Sequence, residues 1–420
     1  MQYQIPRGTY DILPADSHKW QRIISAFREL AGSYGYREIT TPIFEQAGLF
    51  ERSSGESSDV VKKEMYRFHD RKGREFALRP EGTAPVARSY VENRLDLVSN
   101  HAKLYYLGPM FRYDRPQAGR YRQFYQYGIE FIGSNHPYYD AEVISILWHY
   151  LFGLGLKDLR LELNSVGCPN CGQAYDAALR EYYRPHLQSL CTDCRQRFEL
   201  KPRRLLDCKV PTCKEIAVKA PIQLDYLDQT CREHFAGVQG ILAQMHIPYQ
   251  VNPGIVRGLD YYTNTAFEIV GGQLGAQNSL AGGGRYNGLL EQVGGRSIPA
   301  VGFAGGFERL LLMLEADQAP MPAVPVPDVY LAAIGETAQQ RAFALINALR
   351  LAGLYAEFEP DRVSLKSQLK SADSQKARFA LIIGEDELAT QSCILKDLQS
   401  GEQRSLPLEP LADIIAILKA

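Results

Sequence analysis

No stretch of this sequence is apolar for long enough to cross a bilayer, and the N-terminal MQYQIPRGTYDILP lacks the charged-then-apolar order of a signal peptide. Net charge is scarce too, since 47 Lys and Arg against 48 Asp and Glu leave a balance of −1. These absences leave no candidate transmembrane helix and no global basic field, so any nucleic-acid contact must come from local patches. The expected compartment is the cytosol, where eight cysteines are thiols or metal ligands rather than disulfides. What is present, 45% hydrophobic and 23% charged residues, describes a soluble globular protein with a real core. A length of 420 residues implies two or three domains. The clearest boundary is the proline-rich QAPMPAVPVPD at 318–328.

The chain is organised around KLYYLGPMFRYDRPQAGRYRQFYQYGIEFI at 103–132, two β-type runs joined by a basic, turn-rich loop. In the second run Phe124, Gln126, Gly128 and Glu130 share one strand face, and Tyr125, Tyr127, Ile129 and Phe131 share the other. One face is therefore core, while the other carries an amide and a carboxylate. Arg112 precedes the loop and Arg115, Arg120 and Arg122 lie within it, opposed only by Asp114. Guanidinium groups so placed can grip a phosphate bidentately. A half-exposed hairpin whose polar face meets water is the plainer alternative.

Elsewhere the patterning is simpler. Residues 18–33 repeat apolar side chains at helical spacing, and GYREITTPIFE reads as a turn and a strand broken by Pro42, which suits an edge or interface. Met65–His69 and Glu75–Arg79 pair across DRKG. LRPEGT then opens a helix with Thr83 near its start and Pro85 in its first turn, where Glu81 and Thr83 taken alone read as caps rather than ligands. A helix over 137–155 and a strand in DLRLELNSVG follow, with Trp148 and Leu151 as core. Residues 168–250 contain seven of the eight cysteines. Their C-x2-C pairs, Cys168/Cys171 and Cys191/Cys194, are the candidate ligands of a structural zinc, with Cys208 and Cys213 following; buried thiols without metal are the alternative.

Further on, GIVRGLDYYTNTAFEIV places Arg257, Asp260 and two tyrosines before a strand, and a bend near Gly258 is needed if Arg257 and Tyr262 face one ligand. LAGGGRYNGLLEQVGG brings glycines 282, 283 and 284, which permit close backbone approach to a ligand. IPAVGFAGGFERLLLMLEA reads as strand, glycine turn and helix with Arg309 in the first turn, an anion-favouring place. Beyond the linker, strands and helices alternate as an α/β domain, and one helix region carries Arg362, Lys366, Lys370, Lys376 and Arg378.

At 103–132 the sequence resembles motif 2 of the class II aminoacyl-tRNA synthetases, and GPMFRYDRPQAGRYRQFYQYGIE is closely similar to the histidyl-tRNA synthetase form. RGLDYYT and the 282–286 stretch resemble the two histidine signatures of that family, and GFERLLLM resembles motif 3. Asn287 departs from the family's usual aspartate. The resemblance implies an α+β fold, with an antiparallel-sheet catalytic core in two parts (1–165 and 251–317), a Cys-rich helical insertion (166–250) and an anticodon-binding domain (329–420). It implies a homodimer formed through the helix and proline-bearing strand of motif 1. The implied activity is ATP-dependent, Mg2+-accompanied charging of tRNA(His) with L-histidine. The alternative is the non-catalytic, histidine-sensing regulatory subunit of histidine biosynthesis, which generally lacks the last domain. By the same resemblance Arg112 and Arg257 act at the reacting carboxylate and α-phosphate. Arg120, Tyr121, Phe124 and Arg309 join Arg112 in holding ATP. Glu81, Gly82, Thr83, Gln126, Glu130, Tyr261, Tyr262 and Tyr286 hold histidine.

Overall fold

The computed structural model describes residues 3–54, 60–206, 208–255, 261–272 and 279–419, which fall into two compact units, Met1–Pro322 and Ala323–Ala420. The division lies inside the proline-rich stretch. Helix α1 (Pro14–Ser33) begins four residues before the apolar periodicity does, because Pro14 sits where no N–H is needed. Its Trp20, Ile23, Phe27 and Ala31 are buried. The proline-broken strand proves to be two short strands in different sheets, β1 (Arg37–Glu38) and β2 (Phe44–Gln46). Pro42 cannot donate to a ladder, and the buried Arg79 guanidinium fixes the crossing by donating to Thr41 O at 2.8 Å and Pro109 O at 2.9 Å.

After α2 (Ala47–Ser54), β3 (Arg67–His69) and β4 (Glu75–Leu78) form the hairpin around DRKG. Asp70 stabilises that turn by accepting from the Lys72 and Arg74 N–H groups. With β2 they make a three-stranded sheet that leaves Phe44 and Phe68 exposed. Then come α3 (Thr83–Glu92), the long hairpin β5 (Ala102–Phe111) and β6 (Gln123–Ile132), α4 (Pro137–Gly153) and β7 (Leu159–Ser165). The insertion supplies α5 (Pro169–Tyr183), α6 (Thr192–Leu200), α7 (Pro211–Ala217) and α8 (Gln229–Gln244). The chain returns through β8 (Tyr249–Val251), β9 (Thr263–Gly271), β10 (Ser279–Arg285), α9 (Leu289–Gln292), β11 (Ala300–Gly306) and α10 (Phe307–Ala316).

The main sheet has eight strands in the order β1-β5-β6-β11-β10-β9-β7-β8, parallel only at its two edge pairs. Its first face carries Tyr127, Ile129, Phe131, Phe267, Val301 and Phe303 into a core closed by α1, α4, α8 and α10. Leu151 is fully within that core and Trp148 packs against it. On the second face Gln126 and Glu130 are buried as well, so the polar parity of β6 faces protein rather than water. The expected glycine turn before α10 is absent, since Gly306 is extended and β11 runs straight into the helix. The 166–250 segment belongs to the first unit.

The second unit alternates β12 (Val329–Ala333), α11 (Glu336–Leu351), β13 (Ala356–Glu357), α12 (Leu365–Ser374), β14 (Phe379–Ile383), α13 (Glu385–Ala389) and β15 (Ser392–Asp397). It adds an edge strand β16 (Gln403–Pro407) and a closing helix α14 (Leu411–Lys419), in the order β13-β12-β14-β15-β16. Arg362, Lys366, Lys370, Lys376 and Arg378 are all exposed on or beside α12.

Candidate active site

The β5–β6 register sets Gly108 opposite Gln126 and Tyr106 opposite Gly128. Tyr106 lies across Gly128, where a Cβ would also meet Phe303 O at 2.7 Å, and its hydroxyl donates to Gln126 Oε1 at 3.3 Å. That same amide oxygen accepts from Gly82 N at 3.0 Å, which ties the start of α3 to the sheet. Gly302 of β11 pairs with Glu130, and a Cβ there would collide with the Glu130 carboxylate. The polar face of the hairpin is thus floored by positions that have no side chain.

Above this floor is a cleft of about 400 Å³, a usual size for a small-molecule site. Arg112, Arg120, Tyr121, Phe124 and Arg309 line it together with Glu81, Thr83, Gln126, Tyr261 and Tyr262. Arg112 donates to Pro80 O at 2.8 Å and stands over the Phe124 ring at 5.2 Å. Arg309 donates to Ser279 O at 3.0 Å and Arg120 pairs with Asp114 at 3.1 Å. Burial, with Arg120 and Arg112 close by, holds the Arg309 guanidinium below its ordinary value. An arginine does not give up its proton in a protein, so mutual repulsion of this kind marks a site completed by an anion.

The other end of the cleft is acidic and aromatic. Glu81 accepts from Thr83 N at 2.6 Å and Ala84 N at 2.9 Å, so the capping geometry is real while the residue also lines the cleft. Burial raises its pKa, opposed by those N–H groups and by Arg112. Gly82, Glu130 and Tyr286 back the wall rather than lining it. The Tyr286 hydroxyl donates to Glu130 Oε2, and the Tyr286 ring lies 5.7 Å from that of Tyr261. Glu130 Oε1 is buried without a hydrogen-bond partner. Burial pushes the Glu130 carboxyl up to about 8, against the opposing pull of the Tyr286 and Thr83 hydroxyls. A buried carboxyl with an unused oxygen is costly unless a ligand supplies a partner.

Arg257, Gly258 and Asp260 lie outside the described residues. Of the three successive glycines only Gly282 lines the cleft; a Cβ at Gly283 would strike β11, and one at Gly284 would strike β9. Asn287 donates to Asn135 Oδ1 at 3.0 Å. The two C-x2-C pairs do not share a site: Cys191 and Cys194 gather with Cys208 and Cys213, and Cys168 and Cys171 with Asp228 and Cys231. The cause is α5, whose 15 residues separate the pairs by about 22 Å of helix.

Sequence reasoning missed several residues. Tyr10 of the N-terminal arm donates to Glu308 Oε1 at 2.6 Å, and the same oxygen accepts from Tyr125 N at 2.7 Å. The Tyr10 ring is 4.7 Å from Tyr121 and 6.3 Å from Trp20, and Gly8 O accepts from Arg122 N at 2.7 Å, so this arm braces the cationic loop. Glu308 stood beside Arg309 and could have been found; Tyr10 carried no periodic signal. Glu64 and Arg204 also line the cleft, the latter reaching it from the insertion.

A family profile described as Histidyl-tRNA synthetase matches residues 8–310, and one described as Anticodon binding domain matches residues 328–417. The histidine–tRNA ligase of Desulforamulus reducens is 48% identical over 406 residues, covering 97% of each chain. That of Pelotomaculum thermopropionicum is 49% identical over 404 residues, 96% of this chain and 95% of that one. The apo histidyl-tRNA synthetase of S. aureus has the same fold with a TM-score of 0.85 at 39% identity, covering 99% of this chain and 100% of that one. A Bacillus halodurans chain described as an ATP phosphoribosyltransferase regulatory subunit/histidyl-tRNA synthetase shares the fold at 22% identity, with a TM-score of 0.67 over 91% of this chain and 99% of that one.

Proposed function

The chain belongs to the histidyl-tRNA synthetase family, and from that premise we infer that it is a histidine–tRNA ligase. It activates L-histidine with ATP to histidyl-adenylate and pyrophosphate, then passes the histidyl group to the 3′ end of tRNA(His), releasing AMP. In the first step a histidine carboxylate oxygen attacks the α-phosphorus and the bond to the pyrophosphate oxygen breaks. Both centres gather negative charge that fixed guanidinium groups stabilise. The observation that carries the reading is the polarity of one cleft, with Arg112, Arg120 and Arg309 at one end and Glu81, Glu130 and the tyrosines at the other.

Roles follow from that polarity. Arg112 acts at the carboxylate and α-phosphate; Arg257, outside the described residues, is assigned to the same centre by the resemblance of RGLDYYT to the family's signature. Arg120, Tyr121, Phe124 and Arg309 hold ATP, the aromatic rings against adenine and the cations against phosphate. Glu81 has lone pairs beyond those its backbone bonds use, and with Gly82 and Thr83 it receives the substrate ammonium. Gln126 orients the bound amino acid. Glu130, backed by Tyr286 and flanked by Tyr261 and Tyr262, reads the imidazole. The Mg2+ that accompanies ATP prefers hard oxygen ligands, and besides the phosphates the cleft offers the carboxylates of Glu64 and Asp114.

The second unit, with its exposed basic residues beside α12, reads the anticodon of tRNA(His). A homodimer is supported by the Phe44, Phe68 and Phe76 cluster, whose rings pack at 5.7–6.0 Å and leave Phe44 half exposed at 50% on the small sheet. A cytoplasmic location is supported by eight unbridged cysteines; among the described residues no helix is long and apolar enough to cross a membrane. The regulatory-subunit reading finds no support in a chain that retains both the cationic end of the cleft and the second unit. Histidine-dependent ATP–pyrophosphate exchange tests the assignment; no exchange, or exchange stimulated equally by other amino acids, would overturn it.

A further inference from the structure

The insertion's seven cysteines and one aspartate form two four-ligand groups, within each of which the ligand atoms lie no more than 4.8 Å apart. Zinc bound tetrahedrally at about 2.3 Å from each sulfur requires sulfurs roughly 3.8 Å from one another. The Cys191 and Cys208 sulfurs are 3.8 Å apart, and those of Cys168 and Cys171 3.6 Å. All eight cysteines are unbridged, so this spacing is not that of disulfides.

Local structure aims the ligands inward. Cys191 is the N-cap of α6 with Cys194 in its first turn, and Cys168 and Cys171 stand in the same relation to α5. Asp228 is the N-cap of α8, with Cys231 in that first turn. Asp228 divides its carboxylate, Oδ1 accepting from Cys231 N at 2.8 Å and Oδ2 lying 3.1 Å from the Cys168 sulfur. Backbone N–H groups point at two sulfurs, Asp228 N at Cys171 (3.1 Å) and Cys191 N at Cys213 (3.3 Å), as outer partners of thiolate ligands do. Around the four-cysteine group Tyr175, Leu179, Tyr183, Leu190, Phe198 and Leu205 make a core too small to hold the insertion alone.

We propose that the insertion is a two-ion zinc module, one Zn2+ bound by Cys191, Cys194, Cys208 and Cys213 and the other by Cys168, Cys171, Cys231 and Asp228. Soft thiolates in a tetrahedral set select zinc over magnesium, calcium or manganese. The two sites are nested along the chain. The outer one joins the starts of α5 and α8 beside Asn264 of β9, whose Oδ1 is 3.4 Å from the Cys231 sulfur. The inner one joins the start of α6 to α7, which carries Cys213.

The full chain, purified without added metal or chelator, should contain two zinc ions per chain by elemental mass spectrometry. Cys191→Ser/Cys194→Ser and Cys168→Ser/Cys171→Ser should each retain one, and Cys393→Ser, in the other unit, should retain two. Because a serine pair can unfold the insertion, the unaltered protein is also titrated with an organomercurial beside a chromogenic zinc chelator. Zinc release should follow thiol modification, with two ions freed once the module's cysteines are consumed. Metal-free protein whose thiols titrate freely, intrachain disulfides in the unreduced protein, or iron in place of zinc would overturn the proposal.

Discussion

Replacing Glu130 by glutamine should change how histidine affinity depends on pH as well as its size. Burial keeps the Glu130 carboxyl protonated up to about pH 8 in the empty cleft, whereas the free imidazole loses its proton near about 6.5. Between those values the complex needs one proton shared by carboxylate and ring, and the two partners already carry one. Because the Glu130 pKa is raised, that proton is lost as pH climbs through about 8, and binding must then draw a proton from solution. Each further pH unit costs about a factor of ten, or about 1.4 kcal/mol. At about pH 9 histidine should therefore bind roughly tenfold more weakly than at about pH 7 through this group alone. The ligand's α-amino group also titrates in this range, but equally for both proteins, so the ratio of wild type to Glu130→Gln isolates the glutamate. At neutral pH the substitution should cost about 1.5–3 kcal/mol, the worth of a hydrogen bond to a charged group, with ATP affinity unchanged. Titration calorimetry of histidine and of ATP across pH, in two buffers of different ionisation enthalpy, measures both quantities. An identical pH profile for the two proteins, or an equal fall in ATP affinity, would refute Glu130 as the imidazole reader.

Arg257→Ala should lower pyrophosphate exchange by about 3 kcal/mol or more in barrier height, with an unchanged circular dichroism spectrum, since it removes one preorganised cation from the transition state; near-normal exchange would remove Arg257 from the reacting centre. A chain ending at Pro322 should still form adenylate but charge tRNA poorly, because each unit has its own core; equal charging would show that the second unit is not the anticodon reader. Gly302→Ala should lose stability at the upper end of about 1–3 kcal/mol and raise the KM for histidine, as its new methyl meets the Glu130 carboxylate and also the Ile129 backbone oxygen; an unchanged KM would show that strand and carboxylate both have room to retreat. Phe44→Ser/Phe68→Ser should shift the light-scattering mass towards the monomer, and an unaltered dimer would place the interface elsewhere.

The parity of β6 was legible because a strand alternates strictly, and one buried face fixes the other. Tyr127, Ile129 and Phe131 reach the core as that alternation requires, and Gln126 and Glu130 face the opposite way. Water on the polar face was only the alternative for such a hairpin, and what the sequence did not disclose is that Tyr106 and α3 cover part of it, contacts made through tertiary packing. The cysteine pairs show the same limit. C-x2-C spacing tells which two thiols share a turn, but only the path of α5 and α8 decides which turns meet, and Asp228 carries no thiol to announce itself. The N-terminal arm carries no pattern that announces its role, since Tyr10 acts through a partner 298 residues away. Strand β16 is exposed along most of its length, so no apolar alternation marked it.

The bracing arm also gives the protein an optical reporter. Trp20 is almost fully buried, with Tyr10 of the arm, Tyr125 of β6 and Phe307 at the head of α10 within 6.3 Å of its ring. The sequence holds only two tryptophans, and the other, Trp148, packs against the same core from α4. In a Trp148→Phe background the remaining emission comes from a single indole that touches the arm, the strand and the helix that together shape the cationic end of the cleft. Nucleotide entry, adenylate formation and product departure then become separable phases in a stopped-flow trace, without a dye, a label or a coupled reaction.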